Sequence, residues 1–150
     1  MENVLRLWLE RDDDGTGELF AFVSAKHFSG IGSAWFDVSA IADFARSLLT
    51  YPLPAAGLPP LEGGYWDKDN RGKLAQTHLS IRFYPIGHSG RIGCLVKLSS
   101  PQDDPDRPES LCHVQTELET TYEQLSVFSR HLSTLASAET DEAVFTGNPV

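Results

Sequence analysis

Residues 77–98 read THLSIRFYPIGHSGRIGCLVKL and give the clearest indication of fold class in the chain. Thr77–Tyr84 alternates apolar and polar side chains, which is typical of a strand with one wet face. Gly87–Gly90 supplies a turn, and Arg91–Leu98 then alternates in the same way. Two strands joined by so tight a turn are antiparallel, so we predict an antiparallel hairpin. Its apolar face consists of Leu79, Ile81, Phe83, Cys94, Val96 and Leu98.

Four further strands and two helices are predicted from hydrophobic periodicity on either side of this hairpin. The strands are Asn3–Glu10, Glu18–His27, Ser33–Val38 and Ser110–Leu118. In the helices, apolar residues recur every three or four positions. The first helix begins at Ser39 and ends before Pro52, and the second is Thr120–Ala136. The segment Ser29–Gly32 is interpreted as the turn that leads into the third strand.

This order of elements predicts one α+β domain over residues 1–136. The expected core is a mostly antiparallel six-stranded sheet with both helices on one face, because each helix has a single apolar stripe. Each half of the chain then contains about three strands followed by one helix, a ββ(β)α pseudo-repeat. Residues 137–150 are expected to form a flexible tail, in which Ala143–Phe145 is a candidate short strand.

The chain carries 21 acidic and 12 basic residues among its 150, which gives a formal net charge of −9. The acids gather in three segments, residues 12–14, 103–109 and 139–142. A nucleic-acid partner is not expected, because binding to phosphates needs clustered Lys and Arg. A basic protein is the partner that this charge favours, since the summed charge of a protein steers encounter.

No stretch approaches the roughly 18 consecutive apolar residues that span a bilayer, and residues 1–10 do not resemble a signal peptide. We therefore expect a cytoplasmic protein that does not enter a membrane. Its two cysteines, Cys94 and Cys112, lack the spacing of metal or redox sites and are expected to be buried thiols.

No catalytic, cofactor-binding or metal-binding residues are assigned. Asp12–Gly17 and Asp67–Gly72 begin like calcium loops, but Val23 and His78 stand where the bidentate Glu is required. Ser89 lies in a hairpin turn rather than in a nucleophile elbow, and no phosphate-binding loop is present in the sequence. We therefore expect a protein that is not an enzyme and needs no cofactor.

Residues 51–73 are rich in Pro and Gly and show no periodicity, yet they include several apolar side chains. A structureless loop of this length is uncommon in a compact domain unless it has a function. Two interpretations stay open. The segment is either a structural crossover that packs on the core or a recognition loop that contacts a partner through Tyr65 and Trp66.

Four segments together resemble small bacterial immunity proteins of the WapI-like type and their uncharacterised relatives. They are Phe28–Asp37, the helix with Phe44 and Leu48, Leu79–Tyr84 and Gly90–Leu98. The resemblance spans residues 3–136 and implies a cytoplasmic protein that binds and neutralises a toxin. It carries over no catalytic residues.

The face of the predicted sheet that the helices leave uncovered is the expected binding site. Alternation places six polar or aromatic side chains on it: His78, Arg82, Tyr84, His113, Gln115 and Glu117. Tyr and Arg are enriched at protein interfaces, so this face predicts a protein-binding module. A structural homo-oligomer and a small-molecule-binding domain are the alternatives.

Overall fold

Eight strands and two helices lie within residues 3–148, the part of the chain that the computed structural model describes. The strands are β1 (Val4–Arg11), β2 (Thr16–Ala25), β3 (Phe28–Asp37), β4 (Leu61–Trp66), β5 (Leu74–Ile86), β6 (Arg91–Ser99), β7 (His113–Thr120) and β8 (Glu142–Thr146). The helices are α1 (Val38–Ser47) and α2 (Tyr122–Ala136). A short 3-10 helix covers Pro108–Ser110. Neither α-helix is both long and apolar enough to cross a membrane.

The strands form two antiparallel sheets of four. Sheet A has the order β3-β2-β1-β8, and sheet B has the order β4-β5-β6-β7. The α+β class and the antiparallel pairing are confirmed, but the prediction of a single six-stranded sheet is wrong. Alternation along a strand shows which residues share a face, whereas it does not show which strands are neighbours. The sequence pattern is therefore the same for one sheet and for two.

Strand β3 lies across the strands of sheet B at close range. A Cβ atom on Gly30 would lie 2.7 Å from Cγ1 of Val114 in β7, and one on Gly32 would lie 3.0 Å from the carbonyl oxygen of His78 in β5. Further along β3, Ala34 lies against β4. Residues along β3 thus contact one strand of sheet B after another. This pattern is expected where the strands of two packed sheets cross at a steep angle.

The hairpin turn before β3 lies earlier than expected. Lys26 and His27 both have positive φ, 54° and 71°, and they join Ala25 to Phe28. Two consecutive residues of positive φ are what the favoured two-residue hairpin turn requires. Ser29–Gly32, which the sequence suggested as the turn, belongs to β3 itself. Its glycines allow β3 to lie close to sheet B, and they do not form a turn.

The two helices meet the same strand of sheet B. The ring of Phe83 in β5 lies 6.3 Å from Phe44 of α1, 6.2 Å from Phe128 of α2 and 5.8 Å from Phe145 of β8, measured between centroids. Phe44 and Phe128 therefore hold related core positions, each on a helix that packs against the same ring. The helices also contact each other, because the Ser129 hydroxyl donates a hydrogen bond of 2.6 Å to the carbonyl of Ala45.

The C-terminal segment contributes β8, which pairs antiparallel with β1. Ala143 and Phe145 are buried and stand opposite Leu7 and Leu5. The expected flexible tail is therefore part of the core over residues 142–146, and the short strand expected at Ala143–Phe145 is confirmed. Five residues are too few for periodicity to identify a strand by itself, although the two apolar side chains point to the same face.

Candidate functional site

The structure brings three residues of the predicted binding face together on the outer surface of sheet B. Cζ of Arg82 lies 4.7 Å from the ring centroid of Tyr84, and the Tyr84 hydroxyl donates a hydrogen bond to the carboxylate of Glu117. Arg82 also donates to the carbonyl of Ala56, at 3.4 Å. The polar groups of these three side chains thus already have partners within the protein. The cluster therefore stabilises the sheet and is not simply a set of free groups for a partner to bind.

Tyr84 is half-buried because its ring covers a glycine. A Cβ atom on Gly93, the residue opposite in β6, would lie 2.5 Å from the Tyr84 ring. Burial raises the pKa of the Tyr84 phenol well above its ordinary value, and the hydrogen bond to Glu117 raises it further. The hydroxyl therefore stays protonated and acts as a donor.

The other three predicted residues of this face differ in their exposure to solvent. His113 and Gln115 are exposed on β7, opposite Ser99 and Lys97. His78 is only 4% exposed, so its assignment to an accessible face is wrong.

A strand that the sequence did not reveal accounts for the burial of His78. Tyr65 of β4 packs edge-on against the imidazole, with ring centroids 4.5 Å apart, and Nε2 of His78 lies 2.9 Å from Oε1 of Gln76. Burial lowers the pKa of His78, because the charged form of the ring would lose its hydration.

The structure supports the interpretation of residues 51–73 as a segment that packs on the core, and the recognition role of Tyr65 and Trp66 stays a prediction. Leu53, Leu58 and Leu61 are buried, and β4 pairs with β5, so much of the segment packs on the core. Tyr65 and Trp66 nevertheless remain 53% and 54% exposed at the end of β4.

Trp66 lines a groove of about 640 Å³ that lies between the end of β3, helix α1 and the start of β4. Phe36, Phe44 and Leu61 are buried residues of its lining. Trp35, 56% exposed, is the second indole that lines it. Apolar and aromatic lining of this kind, at this volume, is typical of binding sites.

Carboxylates give the groove its electrostatic character. Asp37, Asp43 and Glu62 line it, and no Lys, Arg or His belongs to the lining among the described residues. Asp43 pairs with Arg46, one helical turn further along α1. Both side chains of that pair are about two-thirds exposed, so water screens the interaction and it adds little stability. The charged side chains of the described lining are therefore all acidic.

Comparison with known protein families, with curated proteins and with solved structures finds no match to this chain.

Sequence reasoning anticipated one residue of the groove and missed the rest. Trp66 was singled out as a recognition residue, whereas Trp35 counted only as a strand residue. Asp37, Asp43 and Glu62 are separated along the chain, and only the crossing of β3 over β4 brings their elements together. One feature of the sequence could have pointed to Trp35 as a site residue. Glycines occupy one face of its strand, and the large indole lies on the opposite, solvent-facing side.

The structure also differs from expectation at one cysteine. Cys94 is fully buried, and burial raises the pKa of its thiol. Cys112 is exposed just before β7, because that strand begins three residues later than its sequence suggested. Within residues 3–148, no group of three or more His, Cys, Asp or Glu side chains lies close enough together to hold a metal ion.

Proposed function

We propose that this protein is a non-enzymatic protein-binding module whose groove, lined by Trp35 and Trp66, holds a basic segment of another protein. The observation that carries the proposal is the composition of the groove lining. Two half-exposed indoles and three carboxylates share it with buried apolar side chains, and the described lining has no basic residue.

A Lys or Arg side chain suits this lining better than any other. A cation over an indole face gains about 0.5 to 2 kcal/mol, depending on how far it is desolvated. Asp37 and Glu62 take part in no ion pair within the described part of the chain, so both remain available to a cation. Aliphatic side chains of the same segment would pack on Phe44 and Leu61.

A toxin is the partner that the resemblance to WapI-like immunity proteins suggests. The net charge of −9 would speed the encounter with a basic toxin, because summed charge steers association. Such a role requires no catalytic group in the protein, only a surface that covers part of the toxin. The bacterial origin and cytoplasmic location expected from the sequence stay predictions.

The groove is a better candidate than the outer face of sheet B. Arg82, Tyr84 and Glu117 already bind one another there, and a partner would have to displace those contacts. A small cationic molecule is the second candidate ligand, because a volume of about 640 Å³ lies within the range of small-molecule sites.

Selection from a displayed random-peptide library tests the proposal. Peptides that bind the wild-type protein should be rich in Lys or Arg next to aliphatic residues. The double variant Trp66→Ala, Glu62→Lys should bind them about tenfold more weakly or worse, since it removes one indole and reverses one charge.

The double variant Arg82→Glu, Tyr84→Ala is the matched control on the other candidate face, and it should bind the peptides normally. Peptides that lose affinity for the Arg82 and Tyr84 variant instead would move the site to sheet B. Selection that enriches no basic residue would refute the proposed partner chemistry.

A further inference from the structure

The four sheet edges in the described residues differ in how well they are protected from pairing with another strand. Strand β4 has only six residues and two irregularities of register, at Gly63–Gly64 and at Tyr65–Trp66. Strand β8 has five residues and starts at Glu142, and β7 carries Glu117 and Glu119. Short length, bulges and charge are the usual means by which proteins block edge pairing.

Strand β3 lacks these protections although it is ten residues long. Between Phe28 and Phe36 it contains neither a charged residue nor a proline. It pairs with β2 on one side only. Unprotected edges of this length are templates for a further strand.

The register of the hairpin shows which backbone groups are open. Ala25 and Phe28 flank the two-residue turn, so this pair is hydrogen-bonded and every second residue after Phe28 also bonds to β2. The residues in between direct their N–H and C=O groups toward the open edge. They are Ser29, Ile31, Ser33 and Trp35.

Apolar side chains accompany these open groups. Phe28, Ile31 and Trp35 are 68%, 63% and 56% exposed. Ile31 stands opposite Phe22 of β2, and next to that row the rings of Trp8 and Phe20 stack with centroids 5.5 Å apart. The edge thus adjoins a small apolar cluster on the outer face of sheet A, in which Arg6 stands opposite Phe22 and Glu18 opposite Trp35.

We infer that β3 pairs antiparallel with β3 of a second copy of this chain, about a two-fold axis near Ser33. In this register Ile31 of each copy lies opposite Trp35 of the other, which covers both exposed side chains. In the same register Asp37 of each copy lies opposite Ser29 of the other.

The acidic clusters at residues 12–14, 103–109 and 139–142 lie outside β3 in the sequence, and the turn at 12–14 adjoins the Asp37 end of that strand. A two-fold contact is self-complementary, so one strand supplies both halves of the interface and assembly ends at a dimer. The inference does not rest on the proposed function. Trp35 is common to the two surfaces, and for that reason the test variants leave it unchanged.

Sedimentation equilibrium on the full chain tests the pairing. The wild-type protein should be a dimer at concentrations on the order of 100 µM, and Ile31→Lys should raise its dimer dissociation constant about tenfold or more, since a charge would be placed in the apolar contact. Leu49→Lys is the control, because Leu49 is 59% exposed and lies beyond the end of α1. A monomeric wild-type protein, or a dimer that Ile31→Lys leaves intact, would overturn the inference.

A cysteine at the axis provides an independent measurement. In a Cys112→Ser background, Ser33→Cys should form an intermolecular disulfide on mild oxidation, because opposed residues of paired antiparallel strands have Cα atoms within disulfide range. Ser126→Cys, exposed on α2, is the control and should stay reduced. If Ser33→Cys fails to cross-link, or cross-links no faster than Ser126→Cys, the two strands are not paired.

Discussion

Gly32 sets how closely sheet A approaches sheet B. A Cβ at this position would lie 3.0 Å from the His78 carbonyl oxygen and 3.1 Å from Cβ of Leu98. Neither neighbour is the flexible end of a side chain, so the two sheets would have to move apart. We predict that Gly32→Ala lowers the free energy of unfolding by about 1 to 3 kcal/mol, as other overpacked sites do.

Urea denaturation measures this effect, and Gly72→Ala is the matched control. The nearest atom to a Cβ on Gly72 is Oδ1 of Asn70 at 3.8 Å, which is an ordinary contact. That variant should change stability by less than about 0.5 kcal/mol. Equal stability of the two variants would show that β3 does not pack tightly on sheet B.

Tyr84 links the stability of the fold to alkaline pH. Its pKa is raised above the ordinary value of 10.0 in the folded protein, chiefly by burial and then by the hydrogen bond to Glu117. Above pH 10 the folded chain therefore keeps a proton that the unfolded chain releases, and stability falls as the pH rises. Below pH 10 the full contribution is present.

Tyr84→Phe removes this titration. Its free energy of unfolding should therefore fall less than that of the wild-type protein between about pH 9.5 and about pH 11, the range in which the phenol of the unfolded chain loses its proton. Other groups that titrate in the same range and do not interact with Tyr84 are common to both proteins and cancel in the comparison. An identical pH dependence would mean that the phenol is as exposed to water in the folded chain as in the unfolded one.

At the scale of elements, both helices depend on Phe83. Phe128 of α2 is 1% exposed and lies between Phe83 and Phe145, with ring centroids 6.2 and 5.2 Å away. Phe128→Ala should lower the free energy of unfolding by about 3 to 5 kcal/mol, because the aromatic cluster cannot collapse to fill the space. Val127→Ala, at a neighbouring exposed position, should cost less than about 1 kcal/mol. Thermal unfolding of the two variants tests whether the neighbouring positions differ in this way.

The sequence identifies single elements well and their partners poorly. Alternation in Thr77–Tyr84 and Arg91–Leu98 predicts a hairpin that the structure contains as β5 and β6. Strand β4 was missed because Gly63 and Gly64 interrupt the alternation, and both have to be small where the chain approaches β3 and β5. Without β4, nothing indicated that Tyr65 covers His78 and removes it from the surface.

At the scale of the whole molecule, the candidate site arises from the way that two sheets and a helix meet. Trp35 lies on sheet A, Asp43 on α1, and Glu62 and Trp66 on sheet B. Predicting such a site requires the relative placement of the elements, which depends on the glycine contacts of β3 and on no local pattern. The basic partner expected from the net charge stays a prediction, because net charge is a property of composition and does not locate a site.

Photo-cross-linking inside the source cells distinguishes the groove from the outer face of sheet B. A benzoylphenylalanine in place of Ala40, which lines the groove, should form an adduct with another protein, and the cross-linked peptide should be rich in Lys and Arg. The same residue in place of Gln115, on the outer face of sheet B, should form no such adduct. Cross-linking from position 115 alone, or an acidic peptide captured at position 40, would contradict the assignment of the groove as the site that binds a basic partner.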